Sequence, residues 1–244
     1  MLRSDDMSYD PQKTTWLNPN IDYIFNTEII EYDIKDAGFN LIKQYKLLPP
    51  EKIQELEKLG KGFERHKQVG LLQRDDREFS DSLLKKFAEI RAIFINMNNL
   101  TDNDIISVKK DAIFIIGHVN KTKFGKIEFA QKNVYSSYIR FPNIQNLEIY
   151  YSNMGLEIKG MSDNAMNRHR LYMFDFLYKT IALIEDHSSS VKRSTIRFIE
   201  EYKHGDLEDG YYLEFNNMSR DVNPIFNYQN ILVPLVQIIL KEVR

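Results

Sequence analysis

The chain has 244 residues, 43% hydrophobic and 28% charged, with 33 Lys and Arg against 35 Asp and Glu. A formal net charge of −2 provides no global cationic field for nucleic acid or an anionic membrane, so any such contact has to come from a local patch. The absence of cysteine excludes disulfides, thiolate nucleophiles and sulfur-bound zinc, and none of the five histidines pairs with another at ligand spacing on one helix. No apolar run is long enough to span a bilayer, and the polar, acidic start MLRSDDMSYDPQ does not read as a secretory signal. The expectation is a soluble, cytoplasmic protein with no membrane contact, whose chemistry rests on carboxylates and lysines.

In chain order, residues 1–27 read as an N-terminal arm, with Pro11, Asn18, Pro19 and Asn20 working against regular structure. TEIIEYDI (27–34) has strand character and changes at Lys35-Asp36 into a helical stripe of Phe39, Leu41, Ile42 and Tyr45. Asp36 suits the N-cap of that helix, and Pro49-Pro50 ends it and opens the next, EKIQELEKLG. Residues 61–79 are polar and rich in basic groups. An amphipathic helix over about 80–96 follows, with Leu83, Leu84, Phe87, Ile90, Ile93 and Phe94 inward. DIISVKKDAIFII (104–116) then reads as a hairpin with strands Ile105–Val108 and Ala112–Ile116. Alternating stretches over 125–141 and 146–161 predict more strands. Helices are expected from Asn164, over VKRSTIRFIEEY (191–202), and through Pro234 into NILVPLVQIILKEV, with a short strand at GYYLEF (210–215). The class is α+β.

Asp33 stands at the C-terminal end of the first strand, and Asp111 at the tip of the hairpin. Its Lys109-Lys110 turn lacks the Asn-Gly or Asp-Gly that tolerates positive φ. Taken singly, either Asp reads as a cap or turn residue. If their strands are neighbours in one sheet, both carboxylates face one rim. Carboxylates within about 4 Å repel, and a divalent cation relieves that repulsion while drawing in phosphate oxygens. Mg2+ (or Mn2+) needs only one or two carboxylates plus waters and phosphates, and the backbone carbonyl of Ile34 adds an oxygen ligand.

The surroundings point further. EYDIKDAGFNLI (31–42) resembles motif A of nucleic-acid polymerases, where a strand ends in the first metal-binding Asp and runs into a helix. SVKKDAIFI (107–115) resembles motif C of family B DNA polymerases, Y-G-D-T-D-S, with Asp111 on the second aspartate. IEFAQKNVYSSYI (127–139) resembles the K-K-x-Y segment that touches the primer terminus, with Lys132 on its first Lys and Tyr135 on its Tyr; LEIKGM (156–161) resembles the following K-G-I/L element through Lys159 and Gly160. The similarities fall in the family's own order. The resemblance implies a polymerase-palm-like antiparallel sheet with packed helices over 28–163, reduced fingers at about 48–100, and a mainly helical, thumb-like region over 164–244. It further implies template-dependent nucleotidyl transfer from a nucleoside triphosphate, with Asp33 and Asp111 catalytic at a two-ion site, and Lys132, Tyr135 and Lys159 on the primer-template.

The chain also departs from that family. Lys109 replaces the first aspartate of motif C, and Asp36, Ala37 and Gly38 stand where a Ser, a Leu and a sugar-sensing Tyr are expected. No clear copy of the fingers' K-x-x-x-N-S-x-Y-G helix is present; Arg65, Lys67 and Arg74 are the nearest cations for a triphosphate, but fit an exposed helix face better. Tyr135, Tyr138, Tyr150 and Tyr151 suit either base stacking or half-buried strands. Arg168, Arg170 and KRSTIR (192–197) read as solvated surface, and His66 and His118 have no assigned role. A second reading is therefore a palm-derived protein without catalysis that binds nucleic acid or a replication or host protein. A third is an unrelated α+β interaction protein. A compact, cysteine-free chain of this kind suggests a virus or mobile element.

Overall fold

The computed structural model describes residues 8–10, 13–141, 147–160, 170–207 and 228–242. The strand expected at 210–215, the helix onset at Asn164 and Arg168 lie outside the described residues. The class is α+β, as the sequence predicts, with the chain divided into two compact units: Met1–Pro19 with Ile29–Val134, and Asn20–Glu28 with Tyr135–Arg244.

The first unit is built on strands β1 (Trp16–Leu17), β3 (Ile29–Ile34), β4 (Ile105–Val108), β5 (Ala112–Ile116), β6 (Lys123–Phe124) and β7 (Ile127–Tyr135), in the order β1-β4-β5-β3-β7-β6. Against it pack helices α1 (Ala37–Tyr45), α2 (Pro50–Lys58), α3 (Phe63–Asp75) and α4 (Arg77–Met97). Alternation along β3 turns Ile30, Tyr32 and Ile34 to the same core as Ile113 and Ile115 of β5, and Phe39 and Ile42 of α1 join Leu83, Phe87, Ile90 and Phe94 of α4 there. Phe94 is fully buried, its ring 4.2 Å from Phe129 and 5.6 Å from Tyr32. The remaining face of β3 carries Ile29, Glu31 and Asp33, of which Glu31 is buried although charged.

The second unit pairs β10 (Gly155–Lys159), β9 (Leu147–Ser152), β8 (Ser137–Phe141) and β2 (Tyr23–Ile24) in that order, all antiparallel. Ile139, Phe141, Leu147 and Ile149 meet Phe176, Leu177 and Ile181 of α5 (Arg170–Glu185), Val191 of α6 (Ser190–His204) and Leu235 and Ile239 of α7 (Tyr228–Glu242).

Several local expectations change. The break between units comes at Val134/Tyr135, not near 163, because β8–β10 bury their apolar face on the C-terminal helices. Residues 1–27 are not a plain arm: Tyr9 and Trp16 are buried in the first core, and the segment supplies an edge strand to each sheet. Residues 61–79 contain α3, whose inward residues are Arg65 and Val69. It approaches α1 closely because Gly38 has no side chain: a Cβ there would lie 3.0 Å from Val69 Cγ1. Asp36 makes no capping bond; it adopts φ 46° and ψ 48° and turns its carboxylate to Arg65. Finally, α7 runs through Pro234 instead of starting there; burial of Leu235, Ile238 and Ile239 offsets the lost backbone hydrogen bond.

Candidate functional site

The antiparallel register of β3 and β5 sets Asp33 opposite Ala112, and Ile34 N donates to Asp111 O at 3.0 Å. The hairpin closes through Lys109 N to Ala112 O at 2.8 Å. Asp33 and Asp111, distant in sequence, thus lie at neighbouring positions of one rim, and both line a cavity of about 610 Å³. Its walls also include Ile34, Lys35, Asp36, Phe39, Arg65, His66, Gln73, Phe87, Lys110 and Lys132.

Burial, reinforced by the charge of Asp111, pushes the Asp33 carboxyl above the ordinary carboxylate range; Lys132 opposes this and Glu31 adds to it. Lys132 Nζ lies 3.2 Å from Asp33 Oδ2 and 3.3 Å from Glu31 Oε1. Burial disfavours that ammonium, but Glu31 and Asp33 outweigh it and hold the Lys132 pKa above its usual value. Asn133 Nδ2 donates to the other Glu31 oxygen at 2.6 Å. Asp33 Oδ1 is buried with no hydrogen-bond partner among the described residues. Lys110 Nζ donates to Gln73 Oε1 at 3.0 Å and sits 5.2 Å from the Phe87 ring centre; burial lowers its pKa, with Asp111 opposing.

A polar cluster of Asp36, Arg65 and His66 also lines the cavity. Arg65 Nη2 pairs with Asp36 Oδ2, His66 Nε2 stands 3.9 Å from Asp36 Oδ1, and the guanidinium lies 4.1 Å above the Phe39 ring. Arg65 is therefore a buried latch between α3 and the start of α1, not an exposed cation. Lys67 and Arg74 are exposed and do not line the cavity, and Arg74 pairs with Asp75. Tyr135 and Lys159 belong to the second unit, where both engage Glu157; Tyr135 is buried, its ring 5.1 Å from Tyr150.

Three residues of the site escape a reading of sequence, Glu31, Lys110 and Gln73, and so does the pairing of Asp36 with Arg65. Glu31 had a usable signal, since it lies two positions before Asp33 and so shares its face of the strand. Lys110 and Gln73 meet only through folding.

Among the described residues no group of three or more His, Asp or Glu is placed to hold a metal ion. The donor set still fits one Mg2+ or Mn2+ completed by substrate oxygens and water: a pair of carboxylates on one rim, one with a buried, unpartnered oxygen. Fold and site together define an α+β protein with a paired-aspartate cavity also lined by lysines. Residues 7–242 match the family described as Bacteriophage PBS1 gene 130 protein, and the chain belongs to that family. None of the curated proteins matches it. No helix among the described residues is long and apolar enough to cross a membrane.

Proposed function

We propose that the chain is a reduced, polymerase-palm-like, template-dependent nucleotidyltransferase that takes a nucleoside triphosphate into the Asp33–Asp111 cavity, where the 3′-hydroxyl of a nucleic-acid primer, losing its proton to water, attacks the α-phosphate and the α–β phosphoanhydride bond breaks to release pyrophosphate. The observation that carries this reading is the meeting of Asp33 and Asp111 across β3 and β5, with Asp33 Oδ1 buried and unpartnered. When bound, Mg2+ or Mn2+ relieves the repulsion between the carboxylates and polarises phosphate oxygens. The chain's own groups do the rest. Asp33 and Asp111 hold the cation's site open, while Lys110 and Lys132 offer charge-assisted donors to phosphate oxygens. Phe87 and Phe39 give the cavity an apolar wall that strengthens those contacts by excluding water. Lys132 also serves the primer-template in this reading.

The test is primer extension with Mg2+ and Mn2+ by the wild type, Asp33→Asn and Asp111→Asn, with circular dichroism to verify folding. Either substitution is expected to cut extension at least 100-fold, the scale of a lost transition-state electrostatic contact. Extension that survives both substitutions, or its absence in the wild type together with absent Mn2+-dependent nucleotide binding, refutes the proposal.

Two observations favour a second reading: Lys132 Nζ already ion-pairs with Asp33 and Glu31, and Lys109 stands where an acid is expected. This suits a non-catalytic protein that binds nucleic acid or a replication or host protein. Mn2+ then leaves the wild-type melting temperature unchanged.

A further inference from the structure

We propose that Arg91 is a positioning residue for Asp111: its buried guanidinium clamps the peptide that leads into that aspartate. Arg91 lies within α4, flanked by Phe87, Ile90, Phe94 and Ile95, and is 0% exposed. A buried charge is costly unless satisfied, and an aliphatic side chain at such a position often packs as well without desolvation. The guanidinium is held by acceptors from separate segments: Nε donates to Tyr9 Oη at 2.9 Å, Nη2 to Lys13 O at 2.9 Å, and Nη1 to Lys110 O at 2.5 Å. The last acceptor is the telling one. Lys110 O belongs to the peptide group whose nitrogen is that of Asp111. On the far side of the same residue, Asp111 O accepts from Ile34 N at 3.0 Å. Asp111 is thus fixed fore and aft, by helix α4 and by strand β3, in a turn that lacks Gly or Asn to set its own geometry. The planar fork is suited to this: one rigid group spans acceptors that an ammonium cannot reach together. Lys110 inherits the same constraint, which aims its side chain at Gln73 inside the cavity.

The positioning claim stands on backbone geometry alone; its consequence for ligand binding rests on the reading proposed above. Two measurements on the full chain separate them. The first is amide hydrogen exchange in the wild type, in Arg91→Lys, and in Ile95→Val, a control buried on the same helix but outside the clamp. In Arg91→Lys the Ile34 and Lys109 amides are expected to exchange at least 10-fold faster, while amides in the middle of β3 and β5 change much less. Ile95→Val should move all of them together. If the turn amides follow the rest of the sheet in Arg91→Lys, the guanidinium only contributes stability and the proposal falls. Should Arg91→Lys fail to fold, Tyr9→Phe removes one tether and leaves the Lys110 contact; the same selective loss, smaller in size, is then required, and its absence overturns the claim. The second measurement is Mn2+-dependent binding of a non-hydrolysable nucleoside triphosphate, expected to weaken at least 10-fold in Arg91→Lys. Selective exchange without any wild-type nucleotide binding would keep the clamp and remove the cavity's proposed function. A binding constant unchanged despite a loosened turn would show that Asp111 is not what the clamp serves.

Discussion

Replacing Arg65 by Met tests whether this residue is a latch or a ligand-binding cation. Its side chain is 5% exposed, paired with Asp36 at 11%, and the guanidinium stacks 4.1 Å over Phe39. Asp36 is itself held in the left-handed region at φ 46°, a conformation that costs a non-glycine residue about 1 kcal/mol or more. Removing the guanidinium strands a nearly buried carboxylate, with the His66 ring 3.9 Å away. Breaking a buried pair from one side costs about 3–5 kcal/mol, and the lost ring contact adds roughly 0.5–1 kcal/mol. His66 and water recover part of this, so a loss of about 3–4 kcal/mol is expected. With a urea slope of about 2 kcal/mol/M, the unfolding midpoint drops by about 1.5–2 M. The single tryptophan, Trp16, is buried in the first core and makes fluorescence a reporter of that unit. The double variant Arg65→Met/Asp36→Asn should regain more than half of the loss, since it leaves neither charge unpaired. A single-variant loss below about 1 kcal/mol, or strict additivity in the double, would refute the latch and return Arg65 to the phosphate-binding candidates.

The raised pKa of Asp33 fixes the sign of a pH effect: the fold favours the neutral carboxyl, so its contribution is present in acid and is lost as pH rises through its folded-state value, above the ordinary 3.8. Asp33→Asn should therefore gain stability relative to the wild type as pH rises above about 4, measured by urea midpoints at each pH; a gap that moves the other way contradicts the burial argument. Phe94→Ala removes a fully buried ring at the contact of α4 with the sheet and should cost about 3–5 kcal/mol in thermal unfolding, with a loss under about 1 kcal/mol arguing that the core repacks.

The hairpin, the strand that ends in Asp33 and the helix beginning after Asp36 are legible in sequence because each is a local pattern: β-branched runs, alternation, and an apolar stripe at helical spacing. That Asp33 and Asp111 share a rim was an inference from strand ends; the register sets Asp33 opposite Ala112, Ile34 N bonds to Asp111 O, and both aspartates line one cavity. Helix α3 was not legible. One of its two buried residues is an arginine, and a reading that sends Arg outward sees no stripe. The same blindness hides Arg91 and Glu31, buried charges whose partners come from distant segments. Asp36 looked like a cap because position favours it, but the ion pair with Arg65 won the carboxylate. The unit boundary was misplaced because strand patterns say nothing about which helices will cover them.

Strand β2 has a consequence for synthesis. It lies near the start of the chain, yet its partner β8 emerges from the ribosome only after the whole of the first unit. Throughout that interval residues 20–28 wait without their sheet, and a fragment that begins at Tyr135 never receives them. Such a fragment leaves the ladder edge of β8 bare, ready to recruit a neighbour's strand, and is expected to aggregate unless a peptide spanning Asn20–Glu28 is supplied in trans.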